Sequence, residues 1–257
     1  MESENPGGLP PLAGRLLEGR RVIVTGGAGG IGRVTARLFA DTGARVAVFD
    51  ISPATAEFAA SLGAGHRGVV VDVTSTLACQ TAVDETVAEF GGLDALVTMA
   101  GLVHPGGVGD LTEEAFDETI SMHLKGTFNM CRAALPAMRA RGSGSIVCMS
   151  SIAGERGGGL RGGAHYAAAK AGILGLARAM ARETAADGVR VNAVCPGAIH
   201  TGKRKIEDMN AMFASQIPMR RVGTAEEVAR VFLFLASDLS TYMTGATIDV
   251  NGGMHIH

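Results

Sequence analysis

Seven short apolar, β-branched runs alternate with stretches of helical spacing along this chain, and that alternation limits the folds open to it. The runs span residues 21–25, 45–50, 68–72, 95–99, 145–150, 190–194 and 247–250. Most are near-continuously apolar, as strands covered on both faces of a parallel sheet must be. The segments between them carry helical spacing, for example Val34, Leu38 and Phe39, or Ile173, Leu174, Ala177 and Met180. Strand followed by helix, repeated, predicts an α/β fold built on a doubly wound parallel sheet with right-handed crossovers. A chain of 257 residues, 47% hydrophobic, has material for one such core, and no repeat or internal boundary divides it. Residues 1–15, with Pro6, Pro10, Pro11, Gly7, Gly8 and Gly14, are expected to form a flexible extension to a domain over 16–257.

Charge excludes several classes. Lys and Arg total 23 against 25 Asp and Glu, so no bulk field favours nucleic acid or an anionic membrane. No apolar stretch approaches the roughly 18 residues of a membrane span, and the first residues lack the blocks of a signal peptide. Cys79, Cys131, Cys148 and Cys195 are scattered without C-x-x-C spacing, which suits reduced thiols and a cytoplasmic location. There is no Trp, so the core is expected to be aliphatic.

The turn after the first run reads Thr25-Gly-Gly-Ala-Gly-Gly-Ile-Gly32. Glycines between a strand and a helix let the backbone approach a pyrophosphate at the helix N-terminus. Two fingerprints overlap, one through Gly26, Gly30 and Gly32, the other through Gly27, Gly29 and Gly32, and the glycines alone leave both open. Asp50 closes the second run, 18 positions beyond Gly32. A carboxylate there can accept from the adenosine ribose hydroxyls and would repel a 2′-phosphate, which predicts NAD over NADP. Asp50 as a helix-capping acid is the plainer alternative, and Arg33 and Arg45 nearby weigh against NAD. The fold expectation sharpens to a Rossmann-like dinucleotide-binding domain.

Tyr166-Ala-Ala-Ala-Lys170 places a phenol and an ammonium on one face of a helix. A free phenol has a pKa near ~10, too high for a base at neutral pH, and a neighbouring cation would lower it. With the segments Asp72-Val73, Ala100-Gly101, Ser150-Ser-Ile-Ala-Gly154, Asn192-Ala-Val-Cys-Pro-Gly197, Thr244-Gly245 and Asn251-Gly-Gly253, the chain resembles the short-chain dehydrogenase/reductase family over residues 16–257. The resemblance implies that Tyr166 donates or accepts the proton, Lys170 holds the nicotinamide ribose and Ser151 bonds the substrate oxygen. Asp72 and Val73 would frame the adenine, and Ile199 and Thr201 would contact the nicotinamide amide and pyrophosphate. Ile31, Ala100, Gly101, Pro196 and Gly197 complete the implied cofactor-binding set. Ser150 competes with Ser151, but the family pattern puts the active hydroxyl on the second serine.

Two departures from that pattern stand out. Thr98-Met99-Ala100-Gly101 replaces the family's Asn-Asn-Ala-Gly and loses a sheet-bridging amide, for which Thr98 can substitute in part. His123 stands where the family has an active-site Asn that holds a relay water. Its imidazole, titrating near neutrality, is expected to bind that water or to pass the proton; filling space at a helix kink is the alternative. Other candidates weigh less: His255 and His257 at a chain end are expected to do nothing, so no metal is expected. Lys203-Arg204-Lys205 reads as a solvated cluster within a substrate lid near 200–216, and Cys195 as a small buried residue. Specificity is expected to lie in residues 102–110, 155–164 and 200–216, the second spanning the glycine-rich stretch 157–163.

The expected activity is interconversion of a secondary alcohol and a ketone with NAD(H). A reductase of 3-oxoacyl thioesters or another carbonyl is the alternative in substrate, and a nucleotide-binding regulatory or scaffold protein the alternative in class. A homotetramer is expected mainly from the family, with the apolar helices at 113–139 and 166–186 as pairing surfaces.

Overall fold

The structure is a computed structural model that describes residues 14–158, 162–202 and 204–257. Most of the expected N-terminal extension, residues 159–161 of the glycine-rich loop, and Lys203 lie outside the described residues.

In chain order the elements are β1 (Arg21–Thr25), α1 (Gly30–Asp41), β2 (Arg45–Asp50), α2 (Thr55–Ala60), β3 (Arg67–Val70), α3 (Thr76–Phe90) and β4 (Ala95–Thr98). Next come α4 (Glu113–Ile120), a π-helical turn (Ser121–Lys125), α5 (Gly126–Arg141), β5 (Gly144–Met149), α6 (Ile152–Arg156) and α7 (Ala164–Thr184). The last third holds β6 (Val189–Pro196), β7 (Ile199–His200), α8 (Ile206–Phe213), β8 (Gly223–Thr224), α9 (Ala225–Ala236) and β9 (Thr247–Val250). Seven strands form one parallel sheet in the order β3-β2-β1-β4-β5-β6-β9.

Strand alternation builds the two halves of the core. Ile23, Phe49, Leu96, Ile146 and Val191 face α3, α5 and α7. Their neighbours Val22, Val24, Val48, Val97 and Val147 face the other way, toward Phe39 of α1 and Phe232 of α9. Burying each such side chain stabilises the fold by about 1.5–3 kcal/mol. The α9 start is held by a reciprocal cap, in which Thr224 accepts from Glu227 N and Glu227 accepts from Thr224 N.

Several boundaries differ from the sequence expectation. β3 ends at Val70 rather than at 72, because the Asp72 carboxylate accepts from both the backbone N–H and the hydroxyl of Thr74 and turns the chain. β6 runs on to Pro196, since β5 and β9 flank it on both sides. The expected helix at 113–139 is continuous but wound wider for one turn, at Ser121–Lys125. The paired strands β7 and β8 are two residues each, too short to show in a hydropathy pattern. Among the described residues no helix is long and apolar enough to cross a membrane.

Strand order reverses direction between β1 and β4, and a crevice opens there at the carboxyl ends of the strands, as the doubly wound arrangement requires.

Candidate active site

The crevice has two adjoining chambers. The first, about 340 Å³, is lined by Gly26, Gly29, Gly30 and Gly32 at one wall, by Asp50 and Asp72 at its far end, and by Ala100 and Gly101 opposite. The second, about 280 Å³, holds Ser151, Tyr166, Pro196 and Gly197, with Met209 and Phe213 of α8 over it. Ile31, Met149 and Thr201 border both.

Geometry separates the two glycine fingerprints. Gly26, at φ 63°, packs so closely that a Cβ would lie 2.9 Å from the Ala100 backbone. At Gly32 a Cβ would strike the Gly26 carbonyl. Gly27 instead faces the sheet, where a Cβ would meet Val48 at 2.9 Å, and it does not line the chamber. At Gly29 nothing lies within 4 Å of a Cβ, and at Gly30 only Thr201, at 3.9 Å, so this stretch opens on free space at the N-terminus of α1. That is room for a pyrophosphate. The pattern through Gly26, Gly30 and Gly32 therefore describes the cradle.

Asp50 ties the cradle to β2. Its carboxylate accepts from Ala28 N and from Ser52 N, both at 3.0 Å. It is not the cap of α2, a position taken by Ala54. The two arginines that weighed against NAD are engaged elsewhere. The Arg33 guanidinium lies 4.0 Å from the centre of the Phe58 ring. Arg45 lies as close to Phe90 and pairs with Glu89 at 3.1 Å.

The sheet-bridging role lost with Asn is not taken by Thr98, whose buried hydroxyl has no hydrogen-bond partner among the described residues. Thr25 takes it: its hydroxyl accepts from Met99 N at 3.0 Å and from Ala100 N at 3.2 Å. Asn129 was also missed. It is buried in α5 and donates to Val73 O at 2.9 Å, fixing the Asp72-Val73 turn. A polar residue amid the apolar positions of a helix is the only sequence signal it carries.

In the second chamber the serines divide. Ser150 points into the core and donates to Lys170 O at 2.7 Å. Ser151 caps α6, accepting from Ala153 N, and lines the chamber with Tyr166. Burial pushes the Tyr166 phenol up from its ordinary pKa, and the hydrogen bond with Ser151 pulls only partly against it. The expected lowering by Lys170 is not what prevails in the free protein. Lys170 is itself buried, donates to Met149 O at 2.9 Å, and is pushed down to about 8 by desolvation. Its ammonium retains two further donors.

His123 belongs to the π turn and packs edge-on against Tyr166, ring centres 5.2 Å apart. Nε2 lies 2.6 Å from Leu102 O, while buried Nδ1 has no partner among the described residues. A ring titrating near neutrality was expected. Burial first, and the Lys170 charge second, hold it at about 3, so the imidazole stays neutral. It cannot pass a proton as an imidazolium at physiological pH. Cys195 is likewise inert, since burial pushes its thiol up to about 12.

Residues 26–255 match the family described as enoyl-(acyl carrier protein) reductase. An uncharacterized short-chain type dehydrogenase/reductase of Sinorhizobium fredii is 45% identical over 252 residues, covering 94% of this chain and all of that one. The 3-oxoacyl-[acyl-carrier-protein] reductase FabG of Escherichia coli is 37% identical over 247 residues, 93% of this chain and 99% of that one. The crystal structure of a short-chain type dehydrogenase/reductase from Mycobacterium marinum superposes with a TM-score of 0.88 at 33% identity, over 95% of this chain and 98% of that one. Fold and cleft define a dinucleotide-binding oxidoreductase. The chain belongs to the short-chain dehydrogenase/reductase family, whose members use a nicotinamide cofactor, act on small molecules and typically form oligomers.

Proposed function

We propose that this enzyme interconverts a secondary alcohol and a ketone with NAD(H), in the cytoplasm and as a homotetramer. One observation carries the reading: Ser151 and Tyr166 face a single chamber that opens directly onto the glycine cradle. Bound nicotinamide supplies or accepts the hydride; the chain does the rest. Gly26, Gly30, Ile31 and Gly32 hold the pyrophosphate end with Thr201. Asp72, Val73, Ala100 and Gly101 bound the adenosine side, and Pro196, Gly197 and Ile199 the nicotinamide side. Lys170 uses its spare donors on the ribose.

Tyr166 gives its proton to the substrate oxygen in reduction and takes it back in oxidation, while Ser151 donates a neutral hydrogen bond where negative charge develops. The raised phenol is fully protonated at neutral pH, which suits the acid role. His123 is a positioning residue: with Nε2–H on Leu102 O, its Nδ1 offers a fixed acceptor beside Tyr166 for a relay water. The segment 200–216, with α8 over the second chamber, serves as the substrate lid. NAD is preferred because the Asp50 carboxylate lines the cradle and both neighbouring arginines are engaged on aromatic rings.

The 37% identity to FabG favours a second reading, reduction of a 3-oxoacyl thioester. Secondary alcohols, ketones and an acetoacetyl thioester, each assayed with both cofactors by nicotinamide absorbance, separate the readings. Turnover of the thioester alone, or better efficiency with NADP(H), would displace the first.

A further inference from the structure

A second cluster of chemistry-bearing residues lies beside the catalytic helix, and the proposed oxidoreduction does not use it. Glu155 sits on α6, four residues after Ser151. Its side chain is only 6% exposed, yet neither carboxylate oxygen has a hydrogen-bond partner among the described residues. The chain end folds onto it: His257 Nε2 lies 3.5 Å from one oxygen, and His255 Nε2 lies 4.0 Å from the other. Asp249, on β9, approaches His257 Nε2 at 3.0 Å, and its second oxygen is buried and also unpartnered. Burial, and then Asp249, push the Glu155 carboxyl up, and His257 and His255 pull only partly against them.

The Glu155 carboxylate and two imidazoles form a donor set for a borderline divalent ion, with the Asp249 carboxylate beside His257. The carboxylates contribute two negative charges, which a dication would neutralise. Zinc bonds of about 2.0–2.2 Å in tetrahedral geometry set ligand atoms roughly 3.4 Å apart. His257 Nε2 at 3.5 Å from one Glu155 oxygen and His255 Nε2 at 4.0 Å from the other lie near that value. One donor atom each from Glu155, His255 and His257 lies within 4.8 Å of the other two. Cys195 lies with Glu155 and Asp249 on the buried side, in a separate grouping that includes neither histidine.

We propose that Glu155, His255 and His257 bind one zinc-like divalent ion. The ion would pin residues 255–257 to the helix that Ser151 caps, so occupancy stiffens one wall of the substrate chamber. The assignment departs from the expectation that the terminal histidines do nothing, and it stands independently of which substrate the enzyme uses.

The test uses the untagged full chain, freed of metal by a chelator and equilibrated by dialysis with micromolar zinc chloride. Elemental analysis is expected to find one zinc per chain, and the melting temperature to rise with free zinc. H255A/H257A, which alters only the chain end, and E155Q are each expected to weaken zinc binding by more than about tenfold. Absence of bound zinc in the parent would overturn the proposal. So would zinc retained undiminished by H255A/H257A, which would place it elsewhere. A parent that takes up no zinc yet melts higher as E155Q would overturn the proposal and leave Glu155 and Asp249 as a costly pair of crowded acids.

Discussion

The two ends of the central sheet each bury a charge, and they treat it in opposite ways. At the amino end of the strands, Asp94 accepts from Arg21 N at 2.8 Å, Arg21 Nε at 2.7 Å and Arg21 Nη2 at 3.0 Å, with Arg141 at 3.1 Å beyond. Burial alone would push its carboxyl up, but these partners hold it below the ordinary carboxylate range. At the carboxyl end, Lys170 is equally hidden and makes one hydrogen bond, so burial prevails and its pKa falls to about 8. A saturated charge holds strands together; an under-partnered one retains donors and a pKa near the working range. The crevice end also carries the unpartnered Nδ1 of His123 and the raised phenol of Tyr166. Among the described residues, incomplete satisfaction is thus found at the end where chemistry is proposed.

Breaking the crevice end should cost turnover and leave the fold intact. Tyr166→Phe is expected to fold and bind cofactor but to lose on the order of 10²–10⁴ in kcat, measured by nicotinamide absorbance. A variant with most of the parent rate would move the proton chemistry elsewhere. Breaking the other end should do the reverse. Asp94→Ala leaves Arg21 and Arg141 facing each other without their acid and is expected to cost about 3–5 kcal/mol by denaturant titration. Lys170→Met, by contrast, is expected to weaken cofactor binding and turnover while holding its denaturation midpoint near the parent's.

The pH dependence sharpens the same contrast. His123 and Lys170 both have folded pKa values below their unfolded ones, so the unfolded chain binds more protons and stability rises with pH across each window. For His123 that window runs from about 3 to 6.5, and for Lys170 from about 8 to 10.5. Asp94, with its lowered carboxyl, also loses its contribution as pH falls, but in the carboxylate range. His123→Asn is expected to flatten the loss of stability between pH 6.5 and 4, and to leave the neutral region of the pH–rate profile unchanged. A neutral-range limb that vanishes in that variant would restore a titrating imidazole. The smallest effect concerns the cofactor: Asp50→Ala with Ile51→Arg is expected to shift the NAD(H)-to-NADP(H) ratio of kcat/KM by roughly tenfold, the size of one lost repulsive contact.

The parallel strands were legible because burial on both faces writes itself as unbroken apolar runs, and Tyr166 and Lys170 because their spacing puts them on one helix face, whereas only the resemblance to the family distinguished Ser151 from Ser150. What stayed hidden depended on distance along the chain. Thr25 replaces a lost amide only because β1 and β4 are neighbours. The neutrality of His123 follows from burial beneath Leu102 and beside Lys170, which no local pattern reports. His255 and His257 look idle at a chain end until the fold sets them against Glu155, a hundred positions away. The π turn escaped because one wider turn leaves the apolar spacing on either side intact.

That turn also keeps the phase of everything after it. An α-helix advances about 100° per residue, and a wider i→i+5 turn spreads its residues over less rotation each. The turn at Ser121–Lys125 therefore absorbs one extra residue while α5 keeps nearly its phase against α4. Gly126 stays against Val73, where there is no room for a Cβ, and Asn129 stays on the Val73 carbonyl. The bulge itself sets His123 against Leu102 and Tyr166. Deleting one residue within Ser121–Lys125 is expected to leave α5 in place and the fold intact, and to show instead as lost turnover through the displaced His123.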